Sequence, residues 1–377
     1  MVKNRLHGCG ARRLLTVALT AAALVAGGCG AKNDQTTTAT TVAAASATTA
    51  ATSVKFPQFK PPAGPNSAKG LGAKKIGLVV ITEASEVFPQ EQAALQAAFS
   101  QLGWTMQINN LDGNIAGVPQ AVENLIQAGA NAVVLMSVEP SFVGKQAAAL
   151  AKSKGVPIIG NSTGVPTAQA AGVLDAAVEP PMEQPGVQEG KAMVKELGSG
   201  GQVAFIIDQL ASTGRAAQKG VTEGIDGKLD VVAKHQLNYA KLVPDVAATT
   251  QQWLVQYPNL KAIWCPYDGA CVGAAQAVAS SGKHVQVWSL DGTPTAFKDI
   301  RQGQPYVTWA GPFDYLNWLT ADVLVSVFQH RQPDPSAENL PMFRVDKSNV
   351  PATGELSGDL LYGDFQQAFE KRWGVAK

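Results

Sequence analysis

The sequence predicts an α/β protein made of two doubly wound lobes, each built on a parallel sheet. Three observations carry this. Short apolar runs, the pattern of strands buried on both faces, alternate with stretches of helical spacing from Lys75 to Gly160. The same alternation repeats from Gly186 to Leu290. Between the two series stands Glu179-Pro180-Pro181, where consecutive prolines continue neither element.

The elements follow in order. Lys75-Ile-Gly-Leu-Val-Val-Ile81 reads as a buried strand. Gln90 to Leu102 reads as a helix with Ala94, Leu95, Ala98, Phe99 and Leu102 on one stripe. Then come a strand at Trp104 to Ile108, a helix at Val118 to Ala128, a strand at Ala132 to Met136, a helix at Phe142 to Lys154 and a strand at Val156 to Gly160. The second series has helices at Gly186 to Leu197, Arg215 to Ile225, Pro244 to Gln256 and Val272 to Ser280. Its strands are Gln202 to Asp208, Leu229 to Gln236, Ala262 to Cys265 and Val285 to Leu290. Tyr306 to Trp309 adds a short apolar run. The long helix Phe313 to Gln329 is expected to return to the first lobe, because a completed second lobe leaves its apolar face no partner. Crossings between lobes are expected near Val178 to Pro181, Trp309 to Pro312 and Asn339 to Met342. A last helix is read from Tyr362 to Trp373.

The N-terminus reads as a targeting segment. Lys3, Arg5, Arg12 and Arg13 precede the apolar run Leu14 to Val25. That run is shorter than the roughly 20 residues a spanning helix needs, so it reads as a signal segment in residues 1–28. It ends in Ala26-Gly27-Gly28-Cys29, which resembles a bacterial lipobox with Ala26 where Leu is commonest. Cys29 is the expected lipidation site, and an ordinary secretory signal is the alternative. Residues 29–74 are rich in Thr, Ala and Pro, with little to bury, and read as a disordered tether. By random-coil scaling, some 40 such residues reach about 35 Å. No other segment is long and apolar enough to cross a membrane. Net charge is +1, which excludes an electrostatic case for nucleic-acid binding. Cys265 and Cys271 either form a disulfide outside the cytoplasm or lie as two small buried apolar residues. No His or further Cys stands at ligand spacing, so neither a metal nor a cofactor is expected.

Open α/β sheets bind ligands beyond the carboxyl ends of their strands. The loops after Ile81, Met136, Gly160, Asp208, Cys265 and Leu290 are therefore the candidate ligand loops. Several local patterns stand there in order: Lys75-Ile-Gly-Leu-Val-Val with Phe88, Gln127-Ala-Gly-Ala-Asn-Ala-Val-Val-Leu, Gly155-Val-Pro-Ile-Ile-Gly-Asn, Ser212-Thr-Gly-Arg-Ala-Ala-Gln-Lys-Gly, Cys265-Pro-Tyr-Asp-Gly-Ala and Trp288-Ser-Leu-Asp-Gly-Thr-Pro. With these the chain resembles the ribose- and galactose-type periplasmic sugar-binding proteins, the type I solute-binding proteins of ABC importers, from about Lys75 to Val350. The resemblance implies an N-terminal lobe of residues 75–178 plus 312–339, a C-terminal lobe of 179–311 plus 340–350, and a C-terminal extension of 351–377. It departs from the family at Pro181-Met182, at Asn161-Ser162 and at Ser85, where sugar binders often carry Asp-Asn, Asp-Arg and Asn.

The expected ligand residues are Ser85, Phe88, Asn161, Arg215, Tyr267, Asp268, Asp291 and Trp309. Asp291 and Asp268 would accept from hydroxyl or ammonium groups, with helix capping as the rival role for each. Arg215 offers a planar fork of donors. Phe88, Tyr267 and Trp309 would pack on the C–H face of a sugar. Gly160-Asn-Ser-Thr-Gly164 matches the nucleophile-elbow pattern, but Pro166 and its neighbours offer no helix to follow it. A hydrolase using Ser162 is thus the distant alternative.

The expected function is capture of a small polar solute, sugar or sugar-like, between two closing lobes and delivery to an ABC permease. The expected protein is a non-enzymatic monomer anchored by lipid to the outer face of the cell membrane. Docking on a membrane sensor is the alternative, using the same closed surface.

Overall fold

The computed structural model describes residues 62–170, 172–352 and 363–376. The signal segment, Cys29 and most of the tether lie outside the described residues. The first sheet has five parallel strands: β1 (Lys75–Val80), β2 (Thr105–Asn110), β3 (Ala132–Met136), β4 (Ile158–Asn161) and β5 (Ala176–Val178). Their order is β2-β1-β3-β4-β5. β3 is buried at every position, as Ala-Val-Val-Leu-Met requires, whereas the edge strand β2, Thr-Met-Gln-Ile-Asn-Asn, is half-buried or exposed throughout. Helices α1 (Val87–Gln101), α2 (Val118–Gln127) and α3 (Gly144–Lys154) make its crossovers.

The second sheet contains β6 (Gln202–Ile207), β7 (Asp230–Gln236), β8 (Leu260–Trp264), β9 (Gln286–Asp291), β10 (Tyr306–Ala310) and β11 (Phe343–Val345), ordered β11-β10-β9-β8-β6-β7. Only β11 runs antiparallel, against β10. Its helices are α4 (Glu183–Leu197), α5 (Ser212–Ile225), α6 (Leu242–Gln256), α7 (Asp268–Ser281) and α8 (Pro294–Arg301). α4 and α5 meet through glycines. A Cβ on Gly220 would lie 2.1 Å from the Glu183 carbonyl oxygen, and one on Gly190 would lie 2.4 Å from that of Val221. Any larger residue would force these helices apart.

Helix α9 (Phe313–Phe328) is buried from Tyr315 to Ser326. A helix apolar around most of its circumference must be covered on every side. It lies against α1 and the β4–β5 edge of the first sheet, and α10 (Phe365–Trp373) covers it from outside. There Trp373 stacks on Trp318, with ring centroids 5.5 Å apart and planes 5° apart. The Arg372 guanidinium donates to both oxygens of buried Asp322, at 2.8 and 3.1 Å, and Trp373 Nε1 donates to Oδ1 at 2.9 Å.

The structure departs from the sequence expectation in four places. Residues 62–74 are bound rather than part of a free tether. Asn66 and Ala68 donate backbone bonds to the Arg372 and Trp373 carbonyls, and the Asn66 amide donates to the Asp322 carbonyl. β5 and β11, of three residues each, and α8, of eight, are too short to show a period. Helices α1, α4, α5 and α7 begin three or four residues earlier than their apolar stripes suggest: the first turns of α4, α5 and α7 are small or polar and contain glycine, and that of α1 contains Pro89. The last helix begins at Phe365, capped by the Asp364 carboxylate accepting from Gln367 N.

Candidate functional site

All parallel strands of the two sheets end toward the same region, so the loops that follow them face each other across the lobes. They are in contact. Arg215 Nη2 donates to Glu139 Oε2 at 2.6 Å, joining α5 to the loop after β3. The Glu86 carboxylate accepts from Thr295 N at 2.7 Å and from Thr295 Oγ1 at 2.9 Å, joining the start of α1 to α8. A Cβ on Gly164 would lie 2.4 Å from Thr213 N, and one on Gly269 would lie 2.2 Å from Ser85 Oγ. Such approaches bring these loops into direct contact across the two lobes.

Between them is a cavity of about 50 Å³, lined from the first lobe by Ile81, Thr82, Ser85, Phe88, Glu91 and Ser162 among others. One water needs roughly 10–15 Å³ by this measure, so there is room for several waters or one small polar molecule. The second lobe contributes Met182, Thr213, Tyr239, Tyr267 and Asp291, and Phe313 closes the wall at the start of α9. Pro180 lies at the crossing. Ser85 Oγ, Ser162 Oγ and Glu91 Oε2 are buried and have no hydrogen-bond partner in the protein.

The backbone is held to present these groups. Ser162 has φ +54°, and the Glu179 carboxylate fixes its loop by accepting from Thr163 N, Thr163 Oγ1 and Gly164 N at 2.6–3.1 Å. Asp291 has φ +113°, a region that side-chain-bearing residues rarely occupy, and strain of this kind persists where the surroundings over-determine the conformation. Its carboxyl is pushed well above the usual carboxylate range by burial first, then by repulsion from Asp268 and Glu91. Glu91 is pushed from 4.5 up to about 8 by burial alone. Tyr239 and Tyr267 both donate to Asp208 Oδ2, the latter at 3.0 Å, and burial raises both phenols.

Of the residues expected from the sequence, Ser85, Phe88, Tyr267 and Asp291 line this cavity. The other four do not. Asn161 ends β4, but its amide turns to α9 and donates to Asn317 Oδ1 at 3.0 Å and Thr320 Oγ1 at 2.9 Å. Asp268 is the first residue of α7, and its carboxylate accepts from Gly292 N at 2.9 Å and Thr293 N at 2.7 Å, shaping the turn behind Asp291. Those bonds, with one from Ser289 Oγ, oppose the burial that lifts it to about 6. Arg215 sits one turn inside α5, so its guanidinium folds back to the Gln209 and Leu210 carbonyls and across to Glu139. Trp309 projects to the other face of its sheet. There it stacks on Trp288, 6.3 Å between centroids, with the Arg344 guanidinium over it.

The sequence reading missed Glu91, Tyr239 and Phe313 as cavity residues. One signal for Glu91 was available, since it stands one helical turn after Phe88 and before Leu95 on an otherwise apolar stripe. Cys265 and Cys271 form a disulfide, with Cα atoms 5.6 Å apart, that ties β8 to α7 around Tyr267 and Asp268.

Among known proteins, the family described as periplasmic binding protein domain matches residues 76–332. The xylitol-binding protein of Mycolicibacterium smegmatis is 24% identical over 246 residues, which cover 63% of this chain and 67% of that protein. The ribose import binding protein of Bacillus subtilis is 25% identical over 269 residues, 67% of this chain and 79% of its own length. Among solved structures, an ABC transporter solute binding protein from Mycobacterium smegmatis with bound glycerol superposes with a TM-score of 0.67 at 23% identity. It covers 76% of this chain and 100% of its own. A periplasmic solute binding protein of an ABC transporter from Actinobacillus succinogenes with bound D-allose reaches 0.64 at 21%, covering 74% and 99%. These likenesses show the fold. With a family match spanning more than half its length, the chain belongs to the periplasmic binding protein domain family, whose members are binding proteins rather than enzymes.

Proposed function

We propose that this chain captures a small polar solute, sugar or sugar-like, in the closed cavity and delivers it to the permease of an ABC importer. The observation that carries this is the cavity at the facing strand ends, where Ser85 Oγ, Ser162 Oγ and Glu91 Oε2 are buried without partners. Each such group costs about 1–3 kcal/mol when left unsatisfied, so a hydrogen-bonding occupant is the economical explanation. The bound solutes and names of the relatives, glycerol, D-allose, xylitol and ribose, support the same chemical class. Ser162 is read as a ligand contact and not a nucleophile, because no histidine lines the cavity among the described residues.

The lobes are proposed as residues 75–178 plus 312–339 and 179–311 plus 340–350, acting in one monomer. The side-by-side crossing at Glu179, which donates to the Ala337 carbonyl at 2.9 Å, supports a hinge there. Residues 29–61 are proposed as the tether and Cys29 as its diacylated end, outside the cytoplasm. Mass spectrometry of the small molecule that co-purifies with the chain tests the ligand class; a purified chain carrying a large apolar compound would sink it. Expression in a lipidating host tests the anchor: the parent should fractionate with membranes and Cys29→Ala should not.

A further inference from the structure

The cavity has an unusual balance of hydrogen-bonding groups. Its ionisable side chains are two carboxyls, Glu91 and Asp291, and two phenols, Tyr239 and Tyr267. Among the described residues no Lys, Arg or His lines it, and none lines the smaller neighbouring cavity that Glu91 also borders, where Asp314 is the other ionisable group. The one arginine in the ligand loops, Arg215, is spent on Glu139 and backbone carbonyls. No amide side chain lines the main cavity either. The two phenols on its wall already donate to Asp208, which leaves their oxygen lone pairs for an occupant. Apart from the hydroxyls and the carboxyl protons, no side chain offers a donor, and the two carboxyls become pure acceptors once they ionise. A sugar hydroxyl donates one hydrogen and accepts others, whereas an ammonium donates three and accepts none. Four rings, Phe88, Tyr239, Tyr267 and Phe313, surround the same space, and aromatic faces attract a cation.

Resting on the reading of this cavity as the binding site, we infer that its ligand carries an amine, as a small amino sugar or amino alcohol. The ammonium lies against Glu91 and Asp291 within the aromatic wall. The titratable groups that share these cavities with Glu91 are Asp291 from the second lobe, Asp314 from the start of α9 and the two phenols. None can compensate a carboxylate, so in the empty cavity burial keeps Glu91 protonated near neutrality. An arriving ammonium supplies the missing charge. Glu91 then ionises and its proton leaves for solvent.

The test is calorimetry of the full chain at pH 7 in two buffers of different ionisation heat. The probes are matched pairs: glucosamine with glucose, galactosamine with galactose, ethanolamine with ethylene glycol, and serinol with glycerol. At least one amine is expected to bind tenfold or more tightly than its hydroxyl partner, with a buffer-dependent heat that reports proton release. Glu91→Gln, whose fold is checked by thermal unfolding, is expected to lose tenfold or more in amine affinity and to lose the release of its proton. Hydroxyl members binding as tightly as their amines overturn the inference and leave solute capture standing. Amine binding without proton release, or binding by neither member of any pair, overturns it as well. Failure of the solute-capture reading itself is read separately, from the co-purified molecule.

Discussion

Arg215 and Glu139, 76 residues apart and on opposite lobes, meet at 2.6 Å and join the two lobes. The arginine side chain is 40% exposed, so water screens the pair and its worth is about 0.2–1 kcal/mol. Arg215→Ala and Glu139→Gln are each expected to weaken ligand binding by about two- to fivefold. Small-angle scattering of the ligand-free variants should show a larger radius than the parent. Unchanged affinity and unchanged scattering in both variants would mean that the pair is not a latch.

Asp291 is the only carboxylate that the second lobe presents to the cavity among the described residues. Asp291→Ala is expected to weaken ligand binding at least tenfold, about 1.4 kcal/mol. Alanine is strained at φ +113°, so Asp291→Asn, better tolerated at positive φ, separates loss of charge from loss of backbone geometry. Titration of both variants with the co-purified solute checks this, and parent-like affinity in both would refute a ligand role for Asp291.

Glu91 makes stability depend on pH with a defined sign. Its carboxyl titrates near 4.5 when unfolded and at about 8 in the folded protein. Below 4.5 both states hold the proton. As pH rises from 4.5 to 8 the unfolded state alone loses it, so stability falls by up to about 1.4 kcal/mol per pH unit and levels off above 8. Urea unfolding of the ligand-free chain at pH 5 and pH 8 should show this loss, and Glu91→Gln should flatten it. An equal slope in the two proteins would exclude Glu91 as its source.

Asp322 fastens the C-terminal helix. It is buried, and Arg372 and Trp373 both donate to it. Arg372→Ala leaves that carboxylate without its cation and is expected to cost about 3–5 kcal/mol. Asp322→Asn in the same background should recover part of the loss by removing the buried charge. Chemical denaturation checks both. A loss under 1 kcal/mol would place α10 outside the cooperative unit.

The sequence alone determined the α/β class, the duplicated strand–helix order and the faces of most helices. These depend on local periodicity, and β3 reads as buried because every side chain on it is apolar. It also determined which loops stand at the strand ends, and hence that Ser85, Phe88, Tyr267 and Asp291 belong near the cavity. The tertiary structure decided which way each side chain turns. Asn161 and Asp268 sit at correct strand ends, yet Asn317 and Thr320 take the Asn161 amide hydrogens and the Gly292 and Thr293 amides donate to the Asp268 carboxylate. Arg215 needed a partner from the other lobe, and no local pattern marks Glu139 as that partner. Trp309 fell on the opposite face through the two-residue alternation of its strand, whose phase depends on the register with β9 and β11. Glu91 gained its role only because closure of the lobes buries it beside Asp291, a long-range event that no window of sequence contains.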